Sequence, residues 1–260
     1  MSGRRLYYTV GNDVNVFLSK TGITDTVIIN ALHNCFDSLV DSGLWSKIKV
    51  FYPLVGGTAY TTKFDLVRRN KSAFDIIWHG SPIFSYNGVM GGAGLNAYGD
   101  TSFNILNNTT VGDEGYTLCI GTNDASFSSD EIIFGGFNGL AKTYSLLVAT
   151  STSFGTRLNS AINSISNSTK LGIYSINRNS SNLSMLKNTT VVKNVTTSGD
   201  LPNVRIYLLN VMNSLGPYSV GYSAGRLQTT VIHFGLTDAE SINLQNIINT
   251  FENDLGRKTW

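Results

Sequence analysis

The chain has 260 residues, of which 42% are hydrophobic, and contains 26 glycines but 4 prolines, which is typical of one large globular domain or two small ones. A formal net charge of +2 excludes the strongly basic surface of a nucleic-acid-binding protein. We expect no membrane partner either, because no run approaches the roughly 18 apolar residues of a membrane span and no signal peptide opens the chain.

The first periodic segment is TDTVIINALHNCFDSLVDSG, which predicts a helix near 24–42. Thr24 or Asp25 is placed to cap its first turn, and Gly43 is placed to end it. Apolar residues recur at spacings of three and four, which gives the helix a single apolar face formed by Ile28, Leu32, Cys35, Phe36 and Leu39. Residues 1–20 precede this pattern, and we expect an N-terminal arm that contacts a neighbouring subunit.

After this helix the hydrophobic period changes to two, the period of a β-strand. Seven such runs are separated by Gly, Asn and Ser clusters, at 47–53, 73–80, 115–122, 143–150, 170–177, 204–210 and 226–234. The stretch NLSMLKNTTVVKNVTT adds a hairpin with its turn near Lys187 and Asn188. Short strands with polar turns and few helices between them predict an all-β fold, an antiparallel β-sandwich.

A second amphipathic helix near 238–255 closes the chain. Thr237 and Glu240 have the spacing of a capping box, and Gly256 is placed to end the helix. Its single apolar face must be buried against a sheet or against the N-terminal helix, and consists of Leu244, Ile247, Ile248, Phe251 and Leu255. With no linker or internal repeat, residues 21–257 are predicted to form one domain.

The sequence offers no recognisable catalytic group. Glycoside hydrolysis, which β-sandwiches can host, needs two carboxyl groups that face each other. The acidic pairs Asp113-Glu114 and Asp130-Glu131 are adjacent in sequence, and neighbouring residues of a strand point to opposite faces. We therefore predict no catalytic residue, and a protein that is not an enzyme.

Metal ligands are equally sparse, because the three histidines and two cysteines match no metal-binding spacing. Oxygen ligands for calcium occur in predicted loops, at Asp113, Asn123, Asp124 and Asp130. Since they form no recognisable calcium loop, ordinary turn residues are the favoured interpretation, and a structural calcium is the alternative. No cofactor is predicted.

Aromatic residues near glycine-rich loops give a candidate sugar-binding surface. Trp78 with Tyr86, and Tyr218 with Tyr222, could stack on a sugar through the apolar faces of their rings. Core packing explains most aromatic residues of a sandwich, so this interpretation competes with a structural role for each of the four.

Two stretches together resemble a known family. They are GLWSKIKVFYPLVGGTAYTTKFDL at 43–66 and IHFGLTDAESINLQNIINTFENDLGR at 232–257. Both are similar to segments of bacteriophage structural proteins that carry a concanavalin-like, laminin-G-like domain. The matching positions are Trp45, Lys47, Lys49, Tyr52, Pro53, Gly56, Gly57 and Thr58 in the first stretch, and Leu236, Thr237, Asp238, Glu240, Asn243, Phe251, Leu255, Gly256 and Arg257 in the second. The resemblance implies a jelly roll with one helix at each end.

The same resemblance implies a non-enzymatic virion structural protein, assembled in the bacterial host cytoplasm and displayed as a lectin-like module on a head fibre or decoration, or on the tail. Its expected partners are other virion proteins and, more weakly, host surface glycans. A homo-dimer or homo-trimer is expected, as in many viral appendages. Two alternatives are a tail receptor-binding protein that recognises a host polysaccharide and, disfavoured by the missing carboxyl pair, a glycan depolymerase.

Overall fold

The computed structural model describes residues 12–67, 74–91, 96–121, 131–138, 143–149, 153–156, 158, 163–166, 169–196, 199–213, 216–217 and 222–260. Within these residues the helices are α1 (Asn12–Thr21), α2 (Thr26–Asp41), α3 (Ala59–Thr62), α4 (Ile105–Asn108) and α5 (Asp238–Asp254), with a short 3-10 helix at Leu44–Lys47. None of the helices in the described ranges is both long enough and apolar enough to cross a membrane.

The strands in the same residues are numbered in chain order. They are β1 (Ile48–Tyr52), β2 (Ile77–His79), β3 (Ile83–Ser85), β4 (Gly88–Met90), β5 (Tyr98–Asn104), β6 (Asp113–Ile120), β7 (Glu131–Phe137), β8 (Thr143–Ala149), β9 (Ser153–Thr156), β10 (Asn163–Ser166), β11 (Gly172–Asn179), β12 (Asn182–Lys187), β13 (Thr190–Thr196), β14 (Arg205–Leu208), β15 (Met212–Asn213), β16 (Gly216–Pro217) and β17 (Arg226–His233).

These strands form two sheets, and nearly all of their pairings are antiparallel. Sheet A has the order β13-β12-β11-β6-β17-β4-β3, with β1 also paired to β17. Sheet B has the order β10-β9-β8-β7-β14-β5-β2, with β15 and β16 joined at β7. One hydrophobic core takes side chains from both sheets, among them Tyr116 and Leu118 of sheet A and Ile206 and Leu208 of sheet B. The predicted antiparallel β-sandwich is confirmed.

A second core covers the other face of sheet A. Along the strands of sheet A, the residues that alternate with those of the first core point to this face. Examples are Cys119, Ile173 and Val231, which form one buried cluster with the apolar faces of α2 and α5. The molecule therefore has three layers, in the order helices, sheet A and sheet B. The predicted helices at both ends of the chain therefore pack on the sandwich, and α5 contacts both of its predicted partners, sheet A and the N-terminal helix α2.

The ends of these helices follow the sequence signals. The Asp25 carboxylate accepts hydrogen bonds from the Val27 and Ile28 amides at the start of α2. Gly43 follows with a φ of 76°, a left-handed conformation that favours glycine. At the start of α5, Thr237 and Glu240 form the predicted capping box, in which each side chain accepts from the other residue's backbone amide.

The N-terminal region differs from the predicted arm. Asn12–Thr21 is a helix, and its Val14 and Phe17 side chains are fully buried in the cluster between the helices and sheet A. This part of residues 1–20 packs into the domain, while residues 1–11 lie outside the described ranges. With two buried apolar residues in ten, α1 has too weak a periodicity to be recognised from sequence.

Two strand predictions also shift. In the described part of the run at 73–80, which starts at Phe74, the strand covers only Ile77–His79. The Phe74 carbonyl instead accepts the Tyr52 hydroxyl, and the Asp75 carboxylate accepts the Asp65 amide. The hairpin between β12 and β13 turns at Asn188 and Thr189, with φ values of 48° and 67°. The predicted hairpin is confirmed, with its turn one residue later.

A buried ion pair fixes the end of α5 to the sandwich. The Arg257 guanidinium donates twice to the Glu252 carboxylate, from Nε to Oε2 at 2.8 Å and from Nη2 to Oε1 at 2.9 Å. It also donates to the carbonyls of Pro53 and Leu54, just after β1, and of Gln228 in β17. Its side chain is 2% exposed and that of Glu252 is 0% exposed, so this network replaces water around both charges.

A buried polar chain also links α5 to sheet A. The Gln245 amide donates to the Ser175 hydroxyl, which bonds the Thr117 hydroxyl at 2.8 Å, and Thr117 lies 3.2 Å from Nε2 of His233. Nδ1 of His233 lies 2.7 Å from the Phe234 carbonyl, so it must be the protonated nitrogen and Nε2 the acceptor. Burial lowers the pKa of His233 from 6.5 to about 4, because the imidazolium loses its hydration.

Replacing Arg257 with methionine should lower the free energy of unfolding by about 3–5 kcal/mol, because the Glu252 charge is left buried and unpaired. Lys47→Met is the control, since it breaks the partly exposed Lys47–Glu240 pair and should cost under about 1 kcal/mol. Urea denaturation of both variants measures the difference. Equal losses would show that the Arg257 network is not a principal tie of the helix.

Acid should destabilise the protein between pH 6.5 and about 4 through His233. In this window the unfolded chain binds a proton that the folded protein rejects, so stability falls as pH falls, by up to about 3 kcal/mol. Urea denaturation at pH 7, 6 and 5 measures this slope. His233→Gln should flatten it above pH 5, and an unchanged slope in that variant would assign the effect to other groups.

Candidate functional site

The two faces of the molecule differ in what covers them. The long helices α2 and α5 pack on sheet A, whereas the outer face of sheet B carries neither of them. At one edge of sheet B, strands β14, β5 and β2 lie side by side, with β2 outermost. The side chains on the outer face of these three strands form the candidate functional site.

Strand alternation decides which residues reach this face. In β14, Ile206 and Leu208 enter the core between the sheets, so Tyr207 points outward. Tyr207 pairs with Asp100 of β5, which places Asp100 and its alternate neighbour Tyr98 on the same face. Tyr98 in turn pairs with His79 of β2. Each strand thus contributes a ring to one row across the sheet.

The rings stack in that order. The centroids of His79 and Tyr98 are 4.6 Å apart with planes inclined by 14°, and those of Tyr98 and Tyr207 are 4.7 Å apart at 21°. Tyr222 approaches Tyr98 at 6.5 Å with a tilt of 45°. We call His79, Tyr98, Tyr207 and Tyr222 the aromatic row. His79 and Tyr207 cover the two faces of the Tyr98 ring, so only the edge and the hydroxyl group of Tyr98 remain for a ligand.

A charged pair borders the aromatic row. Oδ2 of Asp100 accepts from Nη1 of Arg205 at 2.7 Å, and its Oδ1 accepts the Ser102 amide at 2.8 Å. Ser102 has a φ of 57°, at a register shift between β5 and β14 that tightens the backbone around the carboxylate. The Arg205 side chain is 44% exposed, whereas that of Asp100 is 6% exposed. The site therefore carries an exposed guanidinium whose charge is already balanced.

Burial and this carboxylate set the ionisation of the phenols. Burial, together with the nearby Asp100 charge, raises the pKa of Tyr207 to about 12. The pKa of Tyr98 is raised first by burial and then by Tyr222 and Asp100. No hydrogen bond from the described residues reaches the hydroxyl of Tyr98, Tyr207 or Tyr222. Tyr207 is itself buried, so the neutral hydroxyl groups of the partly exposed Tyr98 and Tyr222 are the ones available near the Arg205 cation.

Gly99 makes the row possible from the other side of β5. It pairs with Trp78 of β2, and a Cβ at this position would lie 2.7 Å from both the Trp78 ring and the Ile76 side chain. The missing side chain lets the indole lie against β5, which brings β2 close enough for His79 to stack on Tyr98.

Of the two aromatic pairs predicted from sequence, Trp78 and Tyr86 have different partners. Trp78 is partly buried in the core, with its ring 5.5 Å from that of Phe84. Tyr86 is 56% exposed at the β3–β4 turn, where its hydroxyl bonds the Asp25 carboxylate. Tyr222 belongs to the aromatic row, and Tyr218 lies outside the described residues.

Of the four calcium ligands considered, Asp113 accepts the Gly235 amide at 2.7 Å, and Asn123, Asp124 and Asp130 lie outside the described residues. Within the ranges that are described, no three His, Cys, Asp or Glu side chains gather as a metal site would require.

Sequence reasoning missed His79, Tyr98 and Tyr207. They come from three strands that are far apart in the chain, and only the pairing register unites them. One local signal was present. Residues two apart in a strand lie on the same face. This spacing separates Tyr98 from Asp100 and Arg205 from Tyr207, so each strand places a phenol and a charge on one face.

No protein-family model matches the chain, and no curated protein matches it significantly. Solved structures do match. A mutant of Trypanosoma rangeli sialidase displaying trans-sialidase activity aligns over 90% of this chain and 39% of its own, at 10% identity and a TM-score of 0.56. Trypanosoma rangeli sialidase in complex with 2,3-difluorosialic acid aligns over 79% and 33%, at 12% identity and a TM-score of 0.51.

These likenesses show a shared fold and no more, because the identities are so low. The chain spans about two-fifths or less of the sialidase chains that it matches. A shorter protein, Ruminococcus gnavus IT-sialidase CBM40 bound to α2,3-sialyllactose, aligns over 52% of this chain and 84% of its own, at 12% identity and a TM-score of 0.39.

The prediction of a non-enzymatic bacteriophage virion structural protein is wrong. The structures that match with a TM-score above 0.5 are sialidases, not components of a virus particle. The virion partners and the homo-oligomer find no support in them. The residues behind the resemblance explain the error, because Thr237 and Glu240 cap α5 while Arg257 ties it to the sheet. Such residues are required by the packing and carry no information on function.

Proposed function

We propose that this chain is a carbohydrate-binding β-sandwich that holds a neutral oligosaccharide on the outer face of sheet B. The observation that carries the proposal is the stacked row of His79, Tyr98 and Tyr207 on that face. Rings combine apolar area with a polar rim, as sugars do, and their fixed geometry limits the entropy lost on binding.

The geometry of the row suggests where a sugar sits. His79 ends the row on the edge strand β2, so one face of its imidazole stacks on Tyr98 and the other is directed away from the row. One sugar ring would stack on that second face, and a neighbouring sugar of the oligosaccharide would lie along the ring edges, where the Tyr98 hydroxyl can donate to or accept from a sugar hydroxyl. The tilted Tyr222 ring would border the same sugar on another side.

The charge at the site favours a neutral ligand. Arg205 could attract a carboxylate, but its guanidinium already bonds Asp100 at 2.7 Å. An acidic sugar would compete with that nearly buried carboxylate and suffer its repulsion. A neutral sugar can instead accept from the outer N–H groups of Arg205 without disturbing the pair. This preference differs from the sialic-acid derivatives named with the matching structures.

We also propose that binding is not accompanied by hydrolysis. Glycoside hydrolysis needs a proton-donating carboxyl group and a second carboxylate across the scissile bond. Asp100 is held by Arg205, and three of the glutamates have structural roles: Glu114 lies buried beside Arg178, Glu240 caps α5 and Glu252 bonds Arg257. Each of these carboxylates in the described residues thus has a structural partner.

We further propose that the β-sandwich is a concanavalin- or laminin-G-like jelly roll. Its support is the repeated crossing of the chain between the sheets: β5 is in sheet B, β6 in sheet A, β7 to β10 in B, β11 to β13 in A, β14 in B and β17 in A. Such crossings are typical of jelly rolls and are absent from simple meanders.

A glycan array followed by calorimetry tests the proposal. The protein should bind at least one neutral oligosaccharide and prefer it to its sialylated counterpart. His79→Ala should weaken binding by about threefold to tenfold through the lost stacking, and Tyr98→Phe by a similar factor through the lost hydroxyl.

Tyr86→Ala is the matched control, because Tyr86 is an exposed tyrosine away from sheet B and should leave affinity unchanged. Circular dichroism confirms that each variant folds. Preference for sialylated glycans, or loss of binding in the Tyr86 variant but not in the His79 variant, would contradict the proposal.

A further inference from the structure

A second pocket lies at one end of the sandwich, where β1 and β17 of sheet A approach β5 of sheet B. Its volume is about 220 Å³, below the roughly 300–1,000 Å³ that drug-sized ligands occupy. The apolar walls are Ile48, Val67, Phe74, Phe103 and Phe234, and one side chain among them, Lys49, is a cation. None of these residues belongs to the aromatic row.

A β-bulge directs Lys49 into this pocket. Ile48 pairs with His233 and Val50 with Ile232, so Lys49 is an extra residue between two consecutive pairs. Ile48 lies in the core under the helices, while Val50 lies in the core between the sheets. Without the bulge Val50 would face the helices like Ile48, and bulges commonly redirect a side chain in this way.

The partly buried Lys49 ammonium has N–H groups that a ligand could bond. It donates to the Asn108 carbonyl and lies 3.7 Å from the centroid of the Phe234 ring. An ammonium group has three N–H donors, and one of them bonds the Asn108 carbonyl while the Phe234 ring lies against one side of the group. Burial lowers the pKa of Lys49, against the opposite influence of the Asp113 carboxylate. A cation in apolar surroundings is stabilised by an anion beside it.

The aromatic walls define the rest of the ligand. Phe74 and Phe103 meet edge to face with centroids 4.9 Å apart, and with Phe234 they line an apolar recess beside the ammonium. A ligand that fills this recess needs a small planar apolar body, and one that satisfies Lys49 needs a carboxylate at one end of it.

We propose that this pocket binds a small aromatic monocarboxylate, with its carboxylate on Lys49 and its ring between Phe74, Phe103 and Phe234. The inference is independent of carbohydrate binding, because the two sites share no residue. A protein without any affinity for oligosaccharides would still bind the carboxylate here.

Titration of the full chain with benzoate, followed by nuclear magnetic resonance, tests the site. Benzoate should bind at millimolar concentration, and benzamide, which has the same shape without the charge, should bind at least tenfold more weakly. Lys49→Met should reduce benzoate affinity at least tenfold. Lys63→Met is the control, because its ammonium also lies near aromatic rings, those of Tyr60 and Phe64, but outside the pocket. Equal binding of benzoate and benzamide, or full affinity in the Lys49 variant, would overturn the proposal.

A second measurement uses the unmodified protein and does not depend on the variant folding. Lysine acylation by a succinimidyl ester is quantified at Lys49 and Lys63 by mass spectrometry. Benzoate should slow acylation of Lys49 at least threefold, leave Lys63 unchanged and be more effective than benzamide. Equal protection of both lysines, or protection of neither, would count against the site.

Discussion

The buried pair of Arg257 and Glu252 is the constraint on which the layered structure depends. The Arg257 guanidinium donates to two carbonyls just after β1 and to one in β17, so a single side chain joins the closing helix to two strands of sheet A. An unpaired charge at this depth would cost several kcal/mol, so the helix and the strands must meet in one register. With α5 fixed, α2 packs beside it and the outer face of sheet A is closed.

This packing limits where a ligand can bind. The helices cover much of the outer face of sheet A, whereas the outer face of sheet B carries polar and aromatic groups. On it, three strands bring His79, Tyr98 and Tyr207 into one stacked row beside Asp100 and Arg205. The fold shared with parts of sialidases accommodates such a face, but the identity of any ligand rests on these side chains and their charge balance.

Sequence reasoning succeeded where the signals are local. The capping box at Thr237 and the apolar stripe of α5 are contained in one segment, and so is the two-residue turn of the β12–β13 hairpin. It failed where pairing across the sheet decides the outcome. Ile77 and Trp78 are both apolar, so a three-residue strand does not reveal which faces inward, and the structure exposes Ile77. The aromatic row depends on register between distant strands, which no local pattern encodes.

A crystal structure of the protein with a neutral oligosaccharide tests the binding face most directly. The sugar should lie on the outer face of sheet B, with one ring against the His79 imidazole and a hydroxyl bonded to Tyr98. A sugar bound on the helical layer, or at the β3–β4 turn beside Tyr86, would contradict this placement.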